Sequence, residues 1–266
     1  MFPSNYLDPI PRHGLPGEPF TYVSPLRSPC PLVLSVSIPP VRHAALYANY
    51  VWNASVLLAD KVANDEIDVE GRTVVELGCG VGLAGIVAAC KDAEQVVLSD
   101  YDDPSMLADL CDSLDESVPT PARARIVVVG HSFRSSTDAL TRVCPRSDFV
   151  FVSDCIWTPS LHAPLLDTLV SLLSTSPNAE IHMTAGFHTG RRVVREFVEQ
   201  AHSRGIVFKP GTRAVEISVV GEVRSLEWGE PPGIKPGTKE GSLVAAEERQ
   251  EERNRWTFYG VFVRGF

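Results

Sequence analysis

Hydrophobic and polar positions along the chain fall into two alternating patterns from about residue 70 onward. Short apolar runs rich in Val and Ile, TVVELG (73–78), QVVLSD (95–100), RIVVVG (125–130), DFVFVSD (148–154) and EIHMTAG (180–186), have the length and composition of buried strands. Between them lie segments of helical period: 82–92, 104–114 with Pro104 in its first turn, 160–173, and 190–205 closed by Gly205. Repeated strand-helix units predict a parallel sheet covered on both faces. Two further strand-like runs, 214–221 and 256–266, have no crossover helix between them, only a polar insertion and the charged run EERQEERNR. An antiparallel pairing of these two is expected, because such a pair tolerates any connecting loop. The prediction is a Rossmann-like α/β domain with a seven-stranded, mostly parallel sheet, an antiparallel C-terminal hairpin and helices on both faces.

Ahead of the sheet, Ala44 to Val62 places Leu46, Tyr50, Asn53, Leu57 and Lys61 at helical spacing, which predicts a helix carrying Tyr47 and Trp52 as a lid. Residues 1–40 are rich in proline and polar interruptions, so they read as an arm, with 31–40 as one short strand, and 41–266 as the catalytic domain.

The stretch TVVELGCGVGLAGIV (73–87) bears on chemistry. Gly80, Gly82 and Gly85 satisfy G-x-G-x-x-G after a strand and at the start of a helix, where backbone N–H groups approach a nucleotide. Asp100 closes the next strand 20 residues beyond Gly80, where a carboxylate can accept both ribose hydroxyls; its alternative is a solvated strand end beside Asp102 and Asp103. That pairing suits NAD and S-adenosylmethionine alike. Glu76, just ahead of the loop, argues against a pyrophosphate by like-charge repulsion and for a cationic sulfonium ligand. A Tyr-x-x-x-Lys or His-acid arrangement for hydride transfer is not found.

Charge and cysteine usage narrow the partners. A net charge of −9 disfavours nucleic acid and leaves a basic protein as an acceptable partner. The six cysteines, Cys30, Cys79, Cys90, Cys111, Cys144 and Cys155, form no C-x-x-C pair, so no metal site or disulfide framework is expected. His131, His182 and His188 are not at metal-ligand spacing and read as ordinary core or surface histidines. Without an export signal or an apolar span, a cytoplasmic chain with no membrane contact is expected.

These motifs resemble the class I, seven-β-strand S-adenosylmethionine-dependent methyltransferases. Within them the chain is similar to family 16, the nicotinamide N-methyltransferase-like protein lysine methyltransferases. VVELGCGVGLAGIVAA and VVLSDYDDP resemble its first two cofactor motifs, NYVWNASVLLAD its segment before the sheet, and VFVSDCIWTPSLHAPLLDTL its fourth-strand segment. The nearest subgroup is the fungal enzymes that methylate the N-terminus and adjacent lysine of translation elongation factor 1-alpha. The resemblance implies cofactor contacts from Trp52, Gly78, Cys79, Gly80, Asp100, Phe133 and Ser153, to which the acid-flanked loop adds Glu76; Asp154, at the carboxyl end of the fourth strand, and Trp157 are the expected catalytic residues, the first to hold the incoming amine and the second to wall its approach. Phe133 stands where the family usually has tryptophan, and Thr158 follows the Asp154-Cys155-Ile156-Trp157 motif in place of asparagine; Tyr47 and Asn49 also depart from the family pattern. The function implied is a monomeric protein N-methyltransferase acting on a lysine or N-terminal amine. The alternatives are a small-molecule N-methyltransferase and a degenerate methyltransferase fold that only binds.

Overall fold

The computed structural model describes residues 12–25, 31–40, 50–218, 221–226 and 253–265. Four short strands lead the chain: β1 (Arg12–His13), β2 (Pro19–Val23), β3 (Val33–Ser37) and β4 (Val51–Trp52). Then come α1 (Asn53–Ala63), β5 (Thr73–Leu77), α2 (Leu83–Cys90), β6 (Gln95–Asp100), α3 (Pro104–Ser117), α4 (Thr120–Arg123), β7 (Ile126–Gly130) and α5 (Asp138–Val143). The second half holds β8 (Phe149–Ser153), α6 (His162–Leu172), β9 (Glu180–Gly186), α7 (Arg191–Ser203), β10 (Ile206–Phe208), β11 (Val215–Ser218), β12 (Val223–Ser225) and β13 (Trp256–Arg264).

The main sheet runs in the order β12-β11-β13-β9-β8-β5-β6-β7, with β10 also paired to β13. Strands β5 to β9 are parallel to one another, while β13 pairs antiparallel with β9, β10 and β11. All seven expected strands are present, and two three-residue strands, β10 and β12, extend the sheet to nine. The expected terminal hairpin is the β11–β13 pair, and β13 lies inside the sheet with Phe258 and Phe262 fully buried.

Side-chain alternation explains why the central strands read as continuous apolar runs. Val74, Val96, Leu98, Phe149 and Phe151 pack into the core under α1, α2 and α3, and Val75, Leu77, Val97, Val150 and Val152 into the core under α6 and α7. Both faces are covered, so both sets of positions must be apolar.

Two N-terminal expectations are corrected. The arm contains an antiparallel β2–β3 hairpin rather than one strand, because Tyr22, Leu34 and Val36 alternate onto one face and, with Ile38, join the core. Each buried aliphatic side chain there contributes about 1.5–3 kcal/mol. The Tyr22 hydroxyl donates to Asp60 on α1 at 2.8 Å, and the Ser37 N–H to Ser113 on α3 at 3.1 Å. The helix expected before the sheet is not continuous: it starts at Asn53 after a short strand, Val51–Trp52, that pairs with Arg12–His13, and Trp52 caps it in an extended conformation. Trp52 therefore precedes the helix; Tyr47 and Asn49 lie outside the described residues.

Candidate active site

The sheet order reverses direction between β5 and β8, where an open α/β sheet places its ligand crevice beyond the carboxyl ends of the strands. A cleft of about 530 Å³ opens there. Trp52, Gly78, Cys79, Gly80, Asp100, Phe133, Ser153, Asp154 and Trp157, drawn from five separate segments, all line it. Of the ten site residues expected from the sequence, Glu76 is absent from that lining.

The glycine loop shows why these positions need their residue types. Gly78 and Gly80 sit at φ of +60° and +55°. A Cβ on Gly78 would fall 2.4 Å from the Cys155 sulfur, whereas one on Gly80 would point into open space, the bare backbone a close-lying ligand needs. A Cβ on Gly85 would meet Leu98 at 2.4 Å, so this glycine serves the packing of α2 on β6.

Asp100 holds the loop from the neighbouring strand. Its carboxylate accepts the N–H of Gly80 at 2.6 Å and the N–H of Tyr101 at 2.6 Å. Burial raises its pKa above the ordinary carboxylate range, and these two N–H groups oppose the rise. Burial likewise drives the thiols of Cys79 and Cys155 well above their usual range. They are neutral fillers of the loop, not nucleophiles.

Glu76 is corrected to a different role. Strand alternation turns it with Val74 toward α2, where its carboxyl is fully buried and accepts the N–H of Gly85 at 2.7 Å. Burial pushes its pKa up to about 8 against that bond, with the charge of Asp100 adding to the rise. A buried carboxyl turned away from the cleft, with burial favouring its protonated form, does not face a ligand there, so the repulsion argument against a pyrophosphate does not hold. Its signal in the sequence was the spacing to Gly85, a donor one turn into the next helix.

At the β8 end, Asp154 adopts φ of +57°, a left-handed conformation that Asp tolerates better than most residues. Its N–H donates to Thr184 at 2.9 Å and its Oδ1 accepts the N–H of Gly186 at 3.0 Å. The turn aims the carboxylate across to β9, whose register sets Ser153 opposite Thr184. Trp157 stands 36% exposed at the rim, and the Trp52 ring stacks on His188 with centroids 5.8 Å apart and an interplanar angle of 27°. Phe133 packs edge-on to His131 at 6.1 Å.

Several lining residues were not singled out by the sequence pattern. Tyr50, Ser55, Tyr101, Arg134 and His188 reach the cleft from loops and a helix start, where no period marks them. The Ser55 hydroxyl, in the first turn of α1, is buried without a hydrogen-bond partner. His182 lies elsewhere, with its Nδ1 3.0 Å from the Tyr259 hydroxyl under β13. Among the described residues, no group of three or more His, Cys, Asp or Glu side chains is placed to hold a metal, and no helix is long and apolar enough to cross a membrane.

The profile of the lysine methyltransferase family matches residues 43–203. The protein N-terminal and lysine N-methyltransferase EFM7 of Gibberella zeae is 30% identical over 187 residues, covering 65% of this chain and 67% of that one. Its counterpart in Cryptococcus neoformans var. neoformans is 29% identical over 134 residues, covering 49% of this chain and 45% of its own. The chain thus spans between about half and two thirds of the length of these relatives. Among solved structures, an S-adenosylmethionine-dependent methyltransferase described from Streptococcus mutans aligns over 94% of this chain and 57% of its own with a TM-score of 0.53 at 10% identity, a likeness of fold alone.

Proposed function

From the premise that the chain belongs to the lysine methyltransferase family, we propose that it is an S-adenosylmethionine-dependent protein N-methyltransferase that acts on a lysine or an N-terminal amine. The observation that carries this reading is the cleft itself, which sets a bare glycine loop and a ribose-type carboxylate at one end and a second, separate carboxylate at the other. A cofactor alone accounts for the first carboxylate only.

The residues present fit the cofactor. Gly80 leaves open space where a side chain would stand, Asp100 supplies a carboxylate for ribose hydroxyls, Trp52 and Phe133 offer aromatic faces, and the unpartnered Ser55 hydroxyl awaits a polar group. Gly78, Cys79 and Ser153 complete that wall. When bound, S-adenosylmethionine supplies a methyl group already activated by its sulfonium. The chain's own work is then alignment and desolvation of a neutral amine. Asp154 receives the incoming ammonium, and Trp157 walls its approach with an apolar face that disfavours the charged form. A chain of net charge −9 suits a basic protein substrate.

Resemblance of NYVWNASVLLAD and VFVSDCIWTPSLHAPLLDTL to the fungal subgroup supports translation elongation factor 1-alpha as the first substrate to assay. Thermal melts with S-adenosylhomocysteine and with NAD test the cofactor. The former at 100-fold above its Kd is expected to stabilise by about 2.7 kcal/mol and the latter not at all. Tritium from labelled S-adenosylmethionine appearing in lysate protein tests the activity. Stabilisation by NAD alone, or label confined to small molecules, overturns the reading.

A further inference from the structure

His188 lies two residues beyond β9 and faces the end of β8. Its Nδ1 is buried, has no hydrogen-bond partner and stands 4.0 Å from Oδ1 of Asp154. The ring cannot easily turn away, because it stacks on Trp52. Room for it exists only because residue 186 is glycine: a Cβ there would come within 2.7 Å of Nδ1. The N–H of the same Gly186 holds the Asp154 oxygen that the ring faces. Three elements therefore converge on one imidazole that lines the cleft and spends its buried nitrogen on nothing else.

We propose that His188 accepts the proton that the substrate ammonium must lose, with Asp154 as the carboxylate that orients the ring and balances the imidazolium. The proposal rests on the amine-methylation reading above. The amine arrives as R–NH3+, the N–H bond breaks, its electron pair stays on nitrogen, and the proton forms a new N–H bond on the imidazole. The imidazolium then returns it to water through the open cleft. Neutral histidine is the proton acceptor whose ordinary pKa, about 6.5, lies nearest physiological pH. A separation of 4.0 Å is loose for a hydrogen bond, as such pairs often are before substrate closes them.

The other charged groups of the cleft are engaged elsewhere. Asp100 is held by the N–H groups of Gly80 and Tyr101, and Arg134 donates to the Ser160 carbonyl at 3.0 Å. Arg191, three residues after His188, binds Glu216, and Arg12 covers the ring of Tyr50. Among the described residues this leaves Asp154 as the charge facing the ring.

The test is single-turnover methylation of a synthetic peptide bearing a free α-amine and one lysine, at saturating S-adenosylmethionine, from pH 5.5 to 9. The wild-type rate is expected to rise to a plateau above about pH 7. In His188→Gln methylation of the lysine, read separately from the α-amine, should fall about 100-fold at pH 7 and climb about tenfold per pH unit without that plateau, since only lysine already neutral in solution, of ordinary pKa about 10.4, reacts. Added imidazole should restore part of the rate of His188→Ala. An independent readout needs no substrate: calorimetry should show S-adenosylmethionine affinity in His188→Gln within about threefold of wild type, since the ring's role is toward the amine and not the cofactor. An unchanged pH profile in His188→Gln, or a loss of its transfer rate that only follows a collapse of cofactor affinity, overturns the proposal and leaves the amine-methylation reading standing. A peptide that even the wild-type protein leaves unmethylated counts against both.

Discussion

The two ends of the cleft are built differently. At the β5–β6 end the Asp100 carboxylate already holds two backbone N–H groups, and Gly78 sits in a conformation set by close packing against Cys155. At the β8–β9 end Asp154 has a left-handed backbone, its carboxylate has one N–H donor, and the neighbouring Nδ1 of His188 has none. A ligand that always has the same shape favours a preorganised frame, whereas a site that must take up a charged amine and discard a proton needs unsatisfied capacity. On the proposed reading, the first end recognises and the second reacts.

Substitutions should separate the two ends. The largest effect is expected from Asp100→Ala, which removes two charge-assisted ribose bonds at about 1.5–3 kcal/mol each and releases the Gly80 N–H as well. Calorimetry should show cofactor affinity falling about 100-fold or more; an affinity within threefold of wild type would move the ribose elsewhere.

Asp154→Asn should do the opposite, leaving cofactor affinity within a few-fold while single-turnover transfer drops roughly 30- to 1,000-fold, the equivalent of about 2–4 kcal/mol. Asparagine tolerates the left-handed backbone and can still accept the Gly186 N–H, so the shape survives and the charge alone is lost. If cofactor binding collapses in this variant, the division between the two ends fails.

A last effect concerns stability behind the loop and leaves both ends of the cleft in place. The folded pKa of Glu76, about 8, lies above the unfolded value of about 4.3, so the folded state keeps a proton that the unfolded chain releases. The stability this contributes is fully present below about pH 4.3 and is lost as pH rises through about 8. Asp60, pushed up to about 6 by burial, acts in the same direction in both proteins compared. Glu76→Gln should therefore gain on wild type as pH rises, by on the order of 4 kcal/mol at pH 9 relative to pH 5. Urea unfolding at the two pH values reads the difference; a constant offset would show that Glu76 does not hold its proton.

The first end was legible in the sequence and the second only in part. The G-x-G-x-x-G loop and the acid 20 residues on are local in the chain, because a strand, a turn and a helix of fixed dimensions carry them to one place. Asp154 and Trp157 were found through the resemblance of their segment, and both line the cleft. His188 carries no such mark, since a histidine in a loop after a strand looks like many others. Glu76 misled because one-dimensional proximity to the loop says nothing of which sheet face a side chain takes.

What the sequence by itself determined is the α/β alternation, the parallel core of Val-rich strands, the glycine loop and the antiparallel pairing of the last two long strands. These follow from period, length and local turn chemistry, which act within one or two elements. Tertiary structure alone decided that β13 inserts between β9 and β11, that Glu76 points at Gly85 and that His188 comes within 4.0 Å of Asp154. The first and the last depend on register between strands, set by the packing of whole faces rather than by any short run of residues, and the second on which face of β5 the side chain takes.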